Sequence, residues 1–428
     1  MTTIAGLPEA SPYVSGPPKR GPYVLASRTR LTSIDLLRGL VMIVMVLDHT
    51  RDFIHAGGLT GDPTNLATTT PMLFMTRWIT HYCAPVFVFL AGVSAYLQYA
   101  RGMSTRELSK FLFTRGIWLI VLEATVIRIT TWFNVDYSFL INLQVIWTLG
   151  VSMIVLAALV YLPLGAIAGI GLTMILVHNA FDGIRVMSWQ GPGSPAPSLA
   201  AKLWILLHQP AEFFPVLGDG SPVVFVIYPL VPWIGVIAVG YAFGKIYTLD
   251  RARRRTLLLR TGLALIAAFI VIRLTNVYGD PRPWSAQSSV LFSVFSFVNT
   301  TKYPVSLLYL LMTIGPALLA LAWFESRASQ SRAEQIVTRV GRVPLFFYLW
   351  QWVLAHGVAV ALSAAAEKDV GWLFMTPPAV FAAIPADAGF SLAVVYLCWV
   401  AVLSMLIPLS LWFSRVKERN PAWWLKYL

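Results

Sequence analysis

Charge is what this sequence has least of. Asp, Glu, Lys and Arg together make up 12% of 428 residues, about half the ~25% of a soluble domain. The length would hold two or three soluble domains, but no polar block is long enough to form one. Cysteine is nearly absent. Cys83 and Cys398 both lie inside apolar runs, which argues against a disulfide framework and against a cysteine-ligated zinc site. A glycine-rich phosphate loop of Walker type and a His-Glu-x-x-His pair are missing too, so no metal is expected. Acidic residues number 19 against 32 Lys and Arg, a formal net charge of +13. The basic residues gather in short segments between apolar runs, where they act as topology signals. Nucleic acid is therefore excluded as a partner, and membrane lipid takes its place.

What fills the chain instead is apolar sequence, 57% of residues, in runs near the ~20 residues that cross a bilayer. The runs predict spans over 36–54, 78–98, 111–129, 143–161, 163–180, 223–245, 257–278, 304–323, 343–363 and 391–413. Pro163 divides the fourth from the fifth. Residues 1–30 carry Pro8, Pro12, Pro17, Pro18 and Pro22 without the apolar core of a signal peptide, and read as a disordered cytoplasmic tail. With the N-terminus inside, 23 of the 32 Lys and Arg fall on the cytoplasmic side, as the positive-inside rule requires. The expected fold is an all-α polytopic membrane bundle of about ten helices (10–11), both termini cytoplasmic, with a transmembrane domain over 31–414 and a cytoplasmic C-terminal tail over 415–428.

In that frame His49, His55, His81, His178, His208 and His356 all fall toward the outer face. Histidine titrates near neutrality, so a proton-handling site is expected there. The densest polar stretch runs from Arg38 to His55 in the first span, and ionisable residues within a membrane helix are functional candidates by default. Arg38 and His49 are eleven residues apart, which returns to nearly the same helix face about 16 Å further along. Asp52 lies one turn beyond His49, placed to fix its tautomer. Asp48, Asp52 and His55 make a second stripe. Plainer readings compete: Arg38 beside Asp35 as a topology anchor, and Asp48, Arg51 and Asp52 as an ion-paired helix end. Elsewhere, Glu123 near Arg128 reads as a structural ion pair, Trp204 to Phe214 as an interfacial amphipathic helix, and the tryptophans of Trp350-Gln351-Trp352 as packing residues.

The segment Ser33-Ile-Asp35-Leu-Leu-Arg38-Gly39, followed by an apolar run and Asp48-His49, resembles the start of the heparan-α-glucosaminide N-acetyltransferase catalytic-domain family. Further segments resemble its bacterial members: His81-Tyr-Cys-Ala-Pro85, Gln144-Val-Ile-Trp147, Tyr228-Pro229 with Pro232-Trp233-Ile-Gly235, Asn299-Thr-Thr-Lys302-Tyr303-Pro304, and Gly341-Arg342-Val-Pro344. The spacing from Arg38 to His49 also matches the Arg-ten-residues-His motif of transmembrane acyltransferases that modify polysaccharides. The resemblance implies an acyltransferase that takes acetyl, or another acyl group, from cytoplasmic acetyl-CoA (or another acyl-CoA) and passes it to a hydroxyl or amine of a sugar or glycan on the outer side. His49 would be the general base or an acyl-histidine nucleophile, with Asp48 or Asp52 orienting it. Arg38, Asp35, Lys302 and Tyr303 would serve the CoA side, and His81, Arg77, His356 and Gln351 the acceptor. Two departures stand out. Lysosomal members carry Asn where this chain has His49 and place their histidine later, which makes His55 the rival base. Bacterial members carry His where this chain has Gln351. A bacterial inner membrane is the expected location, and a second copy of the chain, as a homodimer, is an admitted partner. The competing class is a secondary transporter or exporter, disfavoured because the two halves show no repeat and the polar signature sits on one helix rather than two.

Overall fold

The computed structural model describes residues 31–420 apart from 328 and 378, together with residues 422 and 425. The expected N-terminal tail over 1–30 lies outside the described residues. The protein is mostly helical. Its first half runs α1 (Thr32–Ile54), α2 (Pro71–Thr80), α3 (Cys83–Ala100), α4 (Thr105–Leu122), α5 (Arg128–Trp132), α6 (Val145–Leu159), α7 (Leu164–Val177) and α8 (Leu199–Leu207). The second half runs α9 (Leu230–Phe243), α10 (Arg251–Thr275), α11 (Val290–Val298), α12 (Leu307–Ser326), α13 (Arg332–Val340), α14 (Pro344–Ala365), α15 (Ala379–Ala383) and α16 (Leu392–Arg419).

Among the described residues, seven helical segments are long and apolar enough to cross a membrane: Pro71–Ala100, Leu164–Phe181, Leu230–Thr248, Arg251–Thr275, Leu307–Ser326, Pro344–Ala365 and Leu392–Arg419. Each coincides with a run read as a span. The other three runs are helical as well but fall short for stated reasons. α1 carries Asp35, Arg38, Asp48, Arg51 and Asp52; α4 carries Arg115, the π-helical turn Glu123–Ile127 that follows it carries Glu123, and α5 carries Arg128; α6 is only 15 residues long. These charges give α1 the character of a helix buried against protein rather than lipid, and it is packed by α2, α3, α12, α13, α14 and α16.

Boundaries moved where caps, not hydropathy, decide them. The second span begins at Pro71 instead of 78, because Thr70 accepts from the Leu73 amide and Pro71 suits the first helical position. α16 runs on to Arg419, so the C-terminal tail expected from 415 starts inside a helix. The all-α expectation needs one correction. A three-stranded sheet joins β1 (Phe139–Leu143), β2 (Glu212–Pro215) and β3 (Val223–Val226), with β1 parallel and β2 antiparallel to the central β3. The run Val223–Val226 looked like the start of a span, but its β-branched residues favour a strand, and the helix proper begins only after Pro229. The segment Trp204 to Phe214 is helix only to Leu207; Glu212 onward is strand, where the aromatic Phe213 and Phe214 favour extended backbone.

Backbones approach closely where glycines face each other. A Cβ on Gly92 of α3 would overlap the Ile237 carbonyl oxygen of α9, and one on Gly240 would overlap the Phe89 carbonyl oxygen. Small residues at such crossings are what membrane helix packing relies on.

Candidate active site

His49 sits on α1 five residues before its last residue, Ile54, and α14 supplies its surroundings. The His49 ring stacks on the Trp352 indole with centroids 4.0 Å apart and planes inclined by 20°. Tyr348, one turn earlier on α14, meets the imidazole edge-on at 6.3 Å. The Gln351 side chain is fully buried and faces the imidazole, short of a full hydrogen bond. His49 Nδ1 is buried without a hydrogen-bond partner.

The adjacent carboxylates are held by arginines. Asp48 pairs with Arg51 Nη1 at 2.8 Å and with Arg77, which reaches across from α2, and it also accepts from Thr80 Oγ1 at 3.0 Å. Asp52 pairs with Arg51 Nη2 at 2.5 Å. The expectation that Asp48 or Asp52 orients the imidazole is therefore corrected: Arg51, lying between them in sequence, and Arg77 take up both carboxylates, and aromatic stacking fixes the ring. Buried ion pairs of this kind are stable only when their remaining donors and acceptors are met, which Thr80 helps to do. With Lys302 included, three cations face two carboxylates. The local surplus of positive charge suits a group that develops negative charge during reaction.

Two cavities meet at this level of α1. The larger, about 850 Å³, is lined from the Thr32 end of α1 upward: Asp35, Arg38 and Met45 of α1, Ser94 of α3, Arg101, Arg115, Arg342 and Lys417. The smaller, about 410 Å³, lies past His49 and is lined by Arg51, Asp52, Asp62, Arg77, His81, Arg282, Tyr303 and Trp352. Asp48, His49, Tyr228 and Lys302 line both. The Lys302 ammonium lies 5.8 Å from the Tyr228 ring centre and 5.2 Å from that of Tyr303, and the two tyrosine rings are 5.2 Å apart. At the far end of the larger cavity, Arg38 pairs with Asp35 at 3.2 Å and donates to Ser94 Oγ at 2.9 Å and to the Gly341 carbonyl at 3.3 Å. Arg342 pairs with Glu418 at 3.0 Å.

Of the residues singled out from sequence, His49, Asp48 and Lys302 come together at the junction, with Asp52, Arg77, His81 and Tyr303 on the smaller cavity and Arg38 and Asp35 on the larger. Gln351 lines neither cavity, although it faces His49, and two histidines do not join the group at all. His55 lies just past the end of α1 and lines neither cavity; six residues after His49 is about 120° away around a helix. His356 is fully buried between Phe53 and Phe133, with ring centroids 4.6 and 3.9 Å away, and also lines neither. Five residues beyond Gln351 points it about 140° around α14 from the His49 side. Glu123 and Arg128 form no ion pair. Glu123 accepts from the Trp147 amide at 3.0 Å, while Arg128 donates to the carbonyls of Phe139, Asn134 and Asp136. Sequence reasoning passed over Tyr228, Tyr348 and Trp352. Tyr228 stands out in sequence only within a family segment and Trp352 only as packing, because aromatic residues in a span look alike whatever they face.

A helical membrane protein that holds a buried histidine where two cavities meet has the build of an enzyme working inside the bilayer. The family heparan-alpha-glucosaminide N-acetyltransferase, catalytic, matches residues 30–278, more than half of the chain, and this protein belongs to it: it is a membrane acyltransferase of the acetyltransferase type. The matched stretch covers α1 through α10. Lys302, Tyr303, Arg342 and the α14 residues lie beyond it. No curated protein matches the chain.

Proposed function

We propose that the protein transfers an acetyl group from acetyl-CoA, bound in the larger cavity from the cytoplasmic side, to a hydroxyl or amine of a sugar held in the smaller cavity on the outer side. The observation that carries this reading is that His49 lines both cavities. A donor and an acceptor could approach the same imidazole from opposite ends of α1 without sharing a site. The larger cavity is of the size that holds small-molecule ligands, and Arg38, Arg101, Arg115, Arg342 and Lys417 at its charged end suit the anionic nucleotide of CoA. Its middle, along Met45, Cys83 and Ala84, suits the pantetheine arm.

In the step itself, His49 accepts the proton of the acceptor O–H or N–H as that oxygen or nitrogen attacks the thioester carbonyl carbon. The C–S bond then breaks, and the CoA thiolate takes a proton back. Lys302, with Tyr228 and Tyr303 beside it, stabilises the carbonyl oxygen as it gains charge. Position favours His49 over His55 as the base, since only His49 reaches both cavities. The grouping of Lys and Arg supports ten spans with both termini cytoplasmic, the want of a long polar block supports one acyltransferase domain over 31–414, and the short loops support a bacterial inner-membrane location. The test is acetyl-CoA hydrolysis and acetyl transfer to amino sugars by the protein in detergent. His49→Ala should abolish both reactions, and His55→Ala should leave them near wild type. Loss in His55→Ala alone would move the base there, and no binding of any acyl-CoA would sink the reading.

A further inference from the structure

Away from both cavities, one set of ligand-type side chains stands by itself. His178 follows α7, Asp182 comes at the end of the 3-10 turn after it, and His208 follows α8, with an irregular stretch over 183–198 between the two helical ends. One donor atom from each of the three lies within 4.8 Å of the other two. His208 Nε2 and Asp182 Oδ1 are already 3.1 Å apart. His178 is 2% exposed and His208 4%. Neither ring nitrogen of His178 has a hydrogen bond. A buried imidazole with both nitrogens unmet gives up the hydrogen bonds it had in water and gets none back, a loss that a bound ion would offset.

The neighbours look like an outer shell. Asn179 Nδ2 donates to Asp182 Oδ2 at 2.8 Å, and Asn179 Oδ1 in turn accepts from the Leu307 amide at 2.9 Å. The carboxylate is thereby turned with its other oxygen toward the histidines, as second-shell partners do for metal ligands. The Trp204 ring shields His208 at 5.2 Å.

We propose that His178, Asp182 and His208 bind a divalent transition-metal ion, with zinc the best match. Two imidazole nitrogens and one carboxylate oxygen are a zinc donor set, with bonds of about 2.0–2.2 Å and a fourth position left for water. Calcium and magnesium prefer all-oxygen shells and fit poorly here. Bonds of that length bring donors about 3.3–3.5 Å apart, so separations of at most 4.8 Å close by no more than roughly 1.5 Å, a movement within reach of side-chain rotation at His178. The ion ties the end of α7 to the segment that enters β2. β1 and β3 of the same sheet carry Asn142 and Phe225, which line the smaller cavity. None of the three ligands lines either cavity, so the ion is a clamp beneath the smaller cavity and takes no part in the transfer.

The test uses the full-length protein in detergent, stripped with chelator and returned to Zn²⁺ alone or Co²⁺ alone. One Zn²⁺ per chain by elemental analysis, a visible Co²⁺ band of a four-coordinate nitrogen–oxygen site, and an unfolding temperature raised by Zn²⁺ are expected in the wild type. His178→Ala, His208→Ala and the isosteric Asp182→Asn should each lose the Co²⁺ band and the Zn²⁺-dependent shift. Asn179→Ala should weaken binding about 10–100-fold. No Zn²⁺ retained at micromolar concentration by the wild type would overturn the proposal, whatever the variants do. Equal binding in all three ligand variants would overturn it as well, by placing the ion elsewhere.

Discussion

The His49 imidazole and the Trp352 indole lie face to face, 4.0 Å apart, joining α1 to α14 at the level where the two cavities meet. The stack does for this imidazole what a hydrogen-bonded carboxylate does in many other sites, since both neighbouring carboxylates are engaged by arginines. Trp352→Ala should therefore lower kcat by about 10- to 100-fold, the penalty of a base displaced by an ångström or so, with a modest stability loss of about 0.5–1.5 kcal/mol from the lost ring pair beyond its buried area. Trp352→Phe should recover most of the rate. Acetyl transfer measured beside thermal unfolding separates the two effects, and an unchanged rate in Trp352→Ala would show that the stack is packing only.

Asp48 holds Arg51 and Arg77 together within a buried site. Removing the carboxylate leaves the Arg77 guanidinium without a counter-charge and Arg51 with Asp52 alone, and breaking a buried pair on one side is strongly destabilising, by about 3–5 kcal/mol. Asp48→Asn should unfold at a markedly lower temperature than wild type. Replacing Arg77 as well, with Met, should restore part of that loss, because contacting residues are not additive. Additive losses in the double variant would show that the Asp48–Arg77 bond contributes little.

The first of these pairs also marks what could be read from sequence and what could not. His49 was legible because an ionisable residue inside an apolar run is costly and therefore conspicuous. The run of α1 itself, the grouping of basic residues and most later helices were legible for the same reason: each is a contrast in polarity along the chain. Trp352 was not, since an aromatic residue among aliphatic ones carries no contrast. Arg77 and Asp48, 29 residues apart, were each visible, but their bond depends on the crossing of α2 and α1. The start of α2 at Pro71 and the strand at Val223–Val226 were missed because turn chemistry and β-branching there outweigh hydropathy. His356 lies five residues beyond Gln351, where bacterial members carry His, and the rotation of the helix sets it on another face.

The larger cavity gathers Arg101, Arg115 and Arg342 at one end, on three different segments of the chain. If these hold the nucleotide of CoA, Arg101→Gln and Arg115→Gln should raise KM for acetyl-CoA and leave kcat nearly unchanged, because they bind donor and transition state alike. Raising salt should weaken wild-type binding more than that of the double variant, as screening acts only on charges that are present. A kcat loss with unchanged KM would place these arginines elsewhere in the cycle.

Lys302 owes its position to a residue far from the chemistry. Arg273, at the end of α10 and 1% exposed, donates to the carbonyls of Phe297 at 2.9 Å, Arg282 at 2.7 Å, and Ser296 and Asn299 at 3.0 Å. Asp280, 4.0 Å from the same guanidinium, accepts from the Thr301 amide at 2.8 Å and from Ser306 Oγ at 2.7 Å. Arg273 thus fixes the segment from Arg282 to Asn299, and Asp280 fixes the turn that carries Lys302 to the junction. Arg273→Met fills the space but leaves four carbonyls, one buried and three partly so, short of a donor, each lost bond worth about 0.5–1.5 kcal/mol. It should lower both the unfolding temperature and kcat, although Arg273 lines neither cavity. Asp280→Asn, which keeps the shape and one acceptor oxygen, should cost less stability and mainly kcat. A variant of Arg273 that loses stability while keeping full turnover would show that the Lys302 turn holds its place without the arginine.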